Sequence, residues 1–170
     1  MVAGVRRVSF DDMQCSIAQS LEVVGEWWTP LIVREVSLGR RRFEEIQDDL
    51  GISRNVLTDR LNKLVDEGVL ERRNIAQSGT RHEYHLTDKG HDLFALLVAL
   101  MQWGDKWMPN PKGPPMELVH TGCGHVTHPV LTCSSCGEAI TDADVRARPG
   151  RRFKDDPEHP LGRRARTATR

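Results

Sequence analysis

The feature that most constrains this chain is a change of hydrophobic period between residues 42 and 86. Apolar residues recur at helical spacing from Phe43 to Leu50, and Gly51 ends that run. Ser53 stands where it would cap a second helix. The inward-facing positions of that helix are Val56, Leu57, Leu61, Leu64 and Val65. After Gly68 the period alternates, and a polar tip containing a glycine separates two short strands. Helix, turn, helix and hairpin predict a winged helix-turn-helix.

The rest of the chain is predicted to add helices and a small Cys/His segment to this centre. Helices are expected at 16–25 and 28–36, and a long one at 88–107 begins with Thr87 as its cap. The fold class is therefore mainly α with a small β wing. The predicted segments are an N-terminal arm (1–13), the winged helix-turn-helix with dimerisation helices (14–109), a linker (110–116), a zinc-ribbon-like segment (117–145) and a basic, disordered tail (146–170).

The total charge gives no indication of a partner, because 24 basic residues balance 24 acidic ones. The distribution is uneven: residues 146–170 carry a net charge of +6, and residues 1–145 carry −6. Any contact with nucleic acid must then come from a local patch. The longest apolar run, at 93–101, is far shorter than the ~20 residues of a membrane span. With no recognisable signal peptide, we expect a cytoplasmic protein without structural disulfides.

The second helix of the motif carries side chains suited to reading DNA. A recognition helix enters the major groove by its N-terminal residues, and its outward set there is Ser53, Arg54, Asn55, Thr58 and Asp59. Arginine pairs with guanine and asparagine with adenine, and a threonine methyl contacts thymine. Arg60 and Lys63, further along, are predicted to contact phosphate. The alternative is that these charged residues form only the solvated face of the helix.

The hairpin supplies a second candidate contact. Its tip, 77–81, ends in Arg81, which we predict to reach the DNA backbone or minor groove. Arg72 and Arg73 alternate along one strand, so only one of them is expected to face DNA.

Several stretches of the sequence resemble the HxlR-type transcriptional regulators, winged-helix relatives of the MarR group. They are CSIAQSLEVVGEWWTPLIVREVSLGRRRFEEIQ, LTDRLNKLVDEGVLERR, YHLTDKG and WGDKW, within roughly residues 15–107. The resemblance implies a homodimeric transcription factor, often a repressor and sometimes an activator, that binds a near-palindromic operator of double-stranded DNA. The extension after Pro109 is less widely shared, so its role is not implied.

The long helix has too many apolar residues for a surface helix with a single buried stripe. These residues are Leu93, Phe94, Leu96, Leu97, Val98, Leu100, Met101, Trp103 and Trp107. One face is expected to pack on the winged domain and the rest on a second copy of the chain, with help from the first helix. That pairing would set two recognition helices about one DNA turn apart. The alternative is that the Cys/His segment folds back over the helix.

Cys15 is predicted to stand just before the first helix, where the helix dipole favours a reactive thiolate. Its position is similar to that of a redox or electrophile sensor in some HxlR-type proteins, which would make an oxidant an effector. The neighbours Gln14 and Ser16 supply no cation. The alternative is a small residue that simply packs.

Two short motifs near the C-terminus have the spacing of zinc ligands. His120-Thr-Gly-Cys123-Gly and Cys133-Ser-Ser-Cys136-Gly each place a cysteine three residues after another ligand and just before a glycine. One imidazole and three thiolates suit one closed structural zinc site per chain. His125 and His128 are spare ligands, and a metal-free redox-active CxxC is the alternative.

The sequence therefore predicts a DNA-binding transcription regulator under small-molecule, thiol or metal control. An enzyme is not expected, because no nucleophile–base pair and no phosphate-cradling glycine-rich loop is evident. The alternative is a protein-interaction or metal- and redox-sensing module that uses the same fold without reading DNA.

Overall fold

The computed structural model describes residues 9–10, 12–75, 81–148 and 150–151, and the chain divides after residue 115 into two compact units. The first unit holds α1 (Ser16–Val24), α2 (Trp28–Ser37), α3 (Phe43–Leu50), α4 (Arg54–Asp66), β1 (Leu70–Asn74), β2 (His82–Leu86), α5 (Asp88–His91) and α6 (Phe94–Trp107). The second holds β3 (Leu118–His120) and β4 (His125–Thr127). Most of the predicted arm and tail, with residues 76–80 of the hairpin tip, lies outside the described residues.

Local signals set the ends of the two central helices. Gly51 ends α3 in the left-handed region, at φ 62°, which an L side chain rarely adopts. Glu45 supports the start of α3, where its Oε2 accepts hydrogen bonds from the backbone N–H groups of Arg41 and Arg42. The hydroxyl of Ser53 accepts a bond from the N–H of Val56 and so caps α4. The predicted winged helix-turn-helix arrangement is confirmed.

One hydrophobic core holds the helices and the hairpin of the first unit together. Its buried members are Ile32, Val33, Val36, Ile46, Ile52, Leu57, Leu61, Leu64, Val69, Leu70 and Tyr84. Val56 and Val65, which the helical period also placed inward, are partly buried against it. Helix α4 is thus anchored along one face and leaves the opposite face to solvent.

Strands β1 and β2 form the antiparallel wing, in the register Leu70 to Leu86 and Arg72 to Tyr84. The N–H of Tyr84 donates to the carbonyl of Arg41, which ties the wing to the segment that precedes α3. The base of the wing therefore has a fixed position relative to the helix-turn-helix.

The single long helix predicted at 88–107 is wrong, since the structure divides it into α5 and α6. The predicted cap is present, because the hydroxyl of Thr87 accepts a bond from the N–H of Gly90. A Cβ at Gly90 would stand only 2.3 Å from the carbonyl oxygen of Val69. We attribute the division to this close approach, which holds α5 against the hairpin.

The carboxylate of Glu35 is completely buried (0% exposed) beneath two arginines. Nε of Arg34 donates to its Oε1 over 2.7 Å, and Nη1 of Arg40 lies 3.1 Å from its Oε2. Arg40 also lies 3.2 Å from Oδ1 of Asp49. This ionic network links α2, the turn after it and α3.

The second unit contains one short hairpin. Strands β3 and β4 pair antiparallel, and an isolated bridge joins Thr132 to Ala139. None of the residues described in this unit is buried. Across the described part of the whole chain, no helix is long and apolar enough to span a bilayer.

Candidate nucleic-acid interface

The N-terminal end of α4 presents the side chains that the sequence assigned to base reading. Arg54, Asn55 and Thr58 are exposed there, whereas Leu57 and Leu61 have no exposed surface. Ser53, also predicted to contact DNA, is exposed and engaged in the helix cap. The helical period therefore located the outward face of α4 correctly.

Arg54 has a defined position on the surface. Its guanidinium carbon lies 4.9 Å from the centroid of the Phe43 ring, a cation–π distance. The ring belongs to the first residue of α3, so the arginine bridges the two helices of the motif. The hydroxyl of Thr58 donates to the carbonyl of Arg54 over 2.8 Å, which leaves its methyl group available for apolar contact.

Arg60 and Lys63, both predicted to contact phosphate, have partners inside the protein. Nη2 of Arg60 lies 3.0 Å from Oε2 of Glu26, which stands between α1 and α2. Nζ of Lys63 donates to the carbonyl of Glu22 over 2.6 Å. Both contacts join α4 to the N-terminal helices, so these side chains serve the packing of α4. Nothing in the local sequence indicated these partners.

The wing carries further exposed cations, Arg72 and Arg81. Arg81 is exposed directly before β2, and its N–H donates to Oδ1 of Asn74 over 3.3 Å. Arg72 is the register partner of Tyr84, so the two side chains share one face of the hairpin. Arg73 is bonded to Glu71 on the other face. The two arginines therefore lie on opposite faces of the hairpin, as the alternation predicted, with Arg72 on the face of Tyr84.

A concavity of about 300 Å³ connects the recognition helix to the wing. We call it the reading groove; it is lined by Arg42, Phe43, Glu44, Arg54, Arg81, His82 and Tyr84. Three of its side chains are arginines, and Arg42 also lies 3.7 Å from Oε1 of Glu83. Such a surface can accept an anionic backbone beside a helix that reads bases. The sequence did not single out Arg42 or His82, whose role depends on contacts between distant segments.

Cys15 is the exposed N-cap residue of α1. Its carbonyl accepts the first helical bond, from the N–H of Gln19 over 3.0 Å. The alternative of a packed, buried thiol does not describe this single chain, in which the side chain is open to solvent.

A large apolar surface is exposed on α6 and α1. Of the fourteen residues of α6, only Val98 is buried, with Leu97 partly buried against the core. Exposed apolar residues include Phe94, Leu96, Leu100, Trp103 and Trp107 on α6, with Ile17 and Leu21 on α1. Exposed surfaces of this kind commonly mark sites of protein association.

The four predicted zinc ligands occur as two pairs. Nδ1 of His120 lies 3.3 Å from Sγ of Cys123, and the thiol of Cys136 donates to Oε2 of Glu138 over 3.8 Å. Hydrogen bonds from the backbone N–H groups of Cys136 and Ser135 lower the pKa of Cys133 below its ordinary value. Within the described residues, no three His, Cys, Asp or Glu side chains stand close enough together to hold one ion.

Comparison with known proteins supports the interpretation of the first unit. The HxlR-like helix-turn-helix family matches residues 23–112. The chain is 48% identical over 139 residues to the HTH-type transcriptional regulator Rv3095 of Mycobacterium tuberculosis, covering 82% of this chain and 88% of that protein. It is 36% identical over 91 residues to YvaP, an HTH-type transcriptional regulator of Bacillus subtilis, covering 53% of this chain and 84% of the relative.

Solved structures agree in fold. The crystal structure of PA1607 superposes with a TM-score of 0.75 at 36% identity, covering 84% of this chain and 100% of that one. The oxidised form of the redox regulator HypR superposes with a TM-score of 0.51 at 27% identity, covering 54% of this chain and 96% of that one. With the wing and the exposed end of α4 in place, the chain belongs to the HxlR-like helix-turn-helix family and is a transcriptional regulator, not an enzyme.

Proposed function

We propose that the protein is a homodimer that reads a near-palindromic operator, with α4 in the major groove and the wing on the DNA backbone or minor groove. The observation that supports this best is the reading groove, because Arg54 of α4 and Arg81 of the wing line one concave surface. A duplex lying along it would meet a base-reading side chain and a backbone-binding one together.

The base contacts are assigned to Arg54, Asn55 and Thr58, which are exposed at the end of α4 that enters the groove. The phosphate contacts are assigned to Arg81 and Arg72, which lie on the wing. Arg60 and Lys63 are left out of the DNA contacts because internal partners engage them. A small contact set is consistent with the net charge of −6 over residues 1–145.

Removing the base-reading pair tests the DNA proposal. The operator is first selected from random DNA with the purified full chain. The double substitution Arg54→Ala with Asn55→Ala should weaken binding to that operator about 100-fold or more, at about 1–3 kcal/mol for each lost contact. Binding to unrelated DNA should change far less.

Asn62→Ala is the matched control, because Asn62 is an exposed polar residue further along the same helix. It should bind the operator like the parent protein. Undiminished operator binding by the Arg54/Asn55 double variant would contradict the assignment of α4 as the reading helix.

The dimer is assigned to the exposed apolar surface of α6, with α1 beside it in the assembly. Burying apolar surface contributes about 25 cal/mol of free energy per Å². Trp103 and Trp107 are 58% and 62% exposed in the single chain, so a dimer would gain free energy by covering them. Two recognition helices related by a two-fold axis would then match the two halves of the operator.

A charge placed in that surface tests the dimer. Phe94→Glu with Trp103→Lys should yield a folded monomer in analytical ultracentrifugation, with the helical circular dichroism retained. Val130→Ser, which alters an exposed aliphatic residue of the second unit (70% exposed), should remain dimeric. A monomeric parent protein, or a dimeric charged variant, would refute the assignment.

Cys15 is the proposed site of reaction with an oxidant. It is exposed at the start of α1, the helix assigned to the dimer together with α6, and the structural relative HypR is named a redox regulator. Oxidation or alkylation of this thiol should therefore change the dimer and release the operator. Peroxide-dependent release must disappear in Cys15→Ser; if the variant still responds, another group is the trigger.

A further inference from the structure

The second unit has regular structure but no hydrophobic core. It contains a hairpin, an isolated bridge and several tight turns, yet none of its described residues is buried. Small units that build little hydrophobic core usually need a disulfide, a metal or a partner to remain folded. Cys123, Cys133 and Cys136 are all free thiols. The described part of the unit therefore has neither a buried core nor a disulfide.

The first knuckle, residues 120–124, brings an imidazole to a thiol. Both Cys123 and Gly124 donate their backbone N–H groups to the carbonyl of His120, and Gly124 adopts φ 74°. The imidazole lies over Gly122, where a Cβ would stand 3.0 Å from its Cε1 atom. Nδ1 of His120 and Sγ of Cys123 are 3.3 Å apart. Two ligands of one tetrahedral zinc, with Zn–N about 2.0 Å and Zn–S about 2.3 Å, would be about 3.5 Å apart.

The second knuckle, residues 133–137, repeats this backbone pattern with two thiols. The N–H of Gly137 donates to the carbonyl of Cys133 over 2.8 Å, and Gly137 adopts φ 78°. The backbone N–H groups of Cys136 and Ser135 also bond the Cys133 sulfur. Each knuckle thus places two ligand residues on one tight turn that a glycine closes.

We propose that the second unit binds one zinc ion per chain through His120, Cys123, Cys133 and Cys136, and that the ion draws the two knuckles together. No three of the described ligating side chains lie close enough together to hold an ion, so in this proposal each knuckle supplies two of the four ligands. Metal binding and closure of the unit are therefore one coupled step. This proposal does not depend on the DNA-reading role of the first unit.

The donor set determines the class of metal. Three thiolates and one imidazole are soft to borderline ligands, which select zinc over the oxygen-seeking magnesium and calcium. Four protein ligands complete a tetrahedral shell, so the ion has a structural role and no position open for a substrate. Binding releases the thiol protons to solvent, and no oxidant or reductant is needed.

Metal content and cobalt spectroscopy test the site. The full chain, purified under reducing conditions without chelator, should contain one zinc per chain by elemental analysis. After the metal has been removed, cobalt(II) titration should saturate at one ion per chain. The spectrum should show thiolate charge-transfer bands and the d–d bands of a tetrahedral site.

Variants then test the individual ligands. Cys133→Ser and His120→Asn should each lose the tetrahedral bands or weaken binding at least tenfold. His128→Asn is the matched control and should leave both unchanged, since it replaces an imidazole of the same unit that lies outside the two knuckles. If His125→Asn abolishes the bands and His120→Asn does not, the assignment of His120 is overturned.

Hydrogen exchange provides a readout that does not depend on the variants folding. Zinc should slow amide exchange across residues 117–145 and leave α3 and α4 unchanged. Absence of zinc together with failure to bind cobalt would overturn the proposal. So would a Cys133–Cys136 disulfide in the protein as isolated under reducing conditions, which would indicate a redox pair instead.

Discussion

Nη2 of Arg60 lies 3.0 Å from Oε2 of Glu26, so a cation of the recognition helix is held by the segment between α1 and α2. Lys63 makes a similar link when it donates to the carbonyl of Glu22. Both side chains fix the position of α4 relative to the N-terminal helices. The recognition helix is thus positioned by some of its own charged residues, and others remain for DNA.

We predict that Arg60→Ala affects stability and not phosphate contacts. Loss of this partly buried ion pair should lower the free energy of unfolding by about 1 kcal/mol. The slope of log binding constant against log salt concentration should not change. Arg81→Ala should reduce the magnitude of that slope by about one, because it removes a phosphate contact. An equal reduction for Arg60→Ala would show that Arg60 contacts DNA after all.

Arg40→Ala should destabilise the first unit through the buried carboxylate of Glu35. The substitution leaves Arg34 as the remaining cation beside that group and breaks the link to Asp49. An incompletely paired buried charge should lower the unfolding free energy by about 2–3 kcal/mol in urea denaturation. The neighbouring, exposed Arg41 is the control: Arg41→Ala should change stability by less than about 0.5 kcal/mol. Equal effects of the two substitutions would contradict this role.

Gly90→Ala should disrupt the docking of α5 on the hairpin. The new Cβ would stand 2.3 Å from the carbonyl oxygen of Val69, and a backbone atom cannot move aside cheaply. A loss of about 2 kcal/mol is expected in thermal or urea unfolding. Gly104→Ala is the matched control, since its new Cβ would approach only the flexible end of the Met108 side chain, at 4.0 Å. That change should be neutral or should stabilise α6 by up to about 1 kcal/mol.

Asp144 should titrate below the ordinary pKa of an aspartate. The hydroxyl and the N–H of Thr141 donate to its Oδ2 over 2.7 and 3.0 Å, and both bonds favour the charged form and lower the pKa. The interaction stabilises the turn above the unfolded-state pKa and is lost as the pH falls through the lower folded-state pKa.

The chemical shift of the Asp144 carboxyl carbon, followed through a pH titration, would measure the titration midpoint of this group. Thr141→Ala should raise it toward the ordinary value, and Thr132→Ala should leave it in place. A midpoint that Thr141→Ala does not move would show that these hydrogen bonds do not lower the pKa.

The elements that local chemistry dictates were predictable from the sequence. Gly51 ended α3 and Ser53 capped α4 as expected, because a left-handed glycine and a capping hydroxyl act within one helical turn. The exposed positions Arg54, Asn55 and Thr58 followed from the helical period alone. These are short-range effects, so the residues near each position are enough to predict where a helix starts or ends and which of its positions are exposed.

The parts that were missed depend on contacts between distant segments. The partner of Lys63 is 41 residues away, and no local pattern distinguishes such a lysine from one that faces DNA. The choice between Arg72 and Arg73 required the strand register. The division of the predicted 88–107 helix reflects the approach of Gly90 to Val69, which the helical period of α5 and α6 does not reveal. In each case the outcome depends on tertiary packing, which the local sequence pattern does not specify.

If Arg54 reads bases as proposed, its position over the ring of Phe43 should also affect the kinetics of operator binding. An unrestrained arginine side chain samples many rotamers and loses conformational entropy when it binds a base. The aromatic ring already restricts this guanidinium, so less conformational entropy remains to be lost on arrival. Replacing Phe43 by leucine would keep the helix start apolar while releasing the arginine. Slower formation of the specific complex, with little change in sliding on unrelated DNA, is the behaviour that this contact predicts.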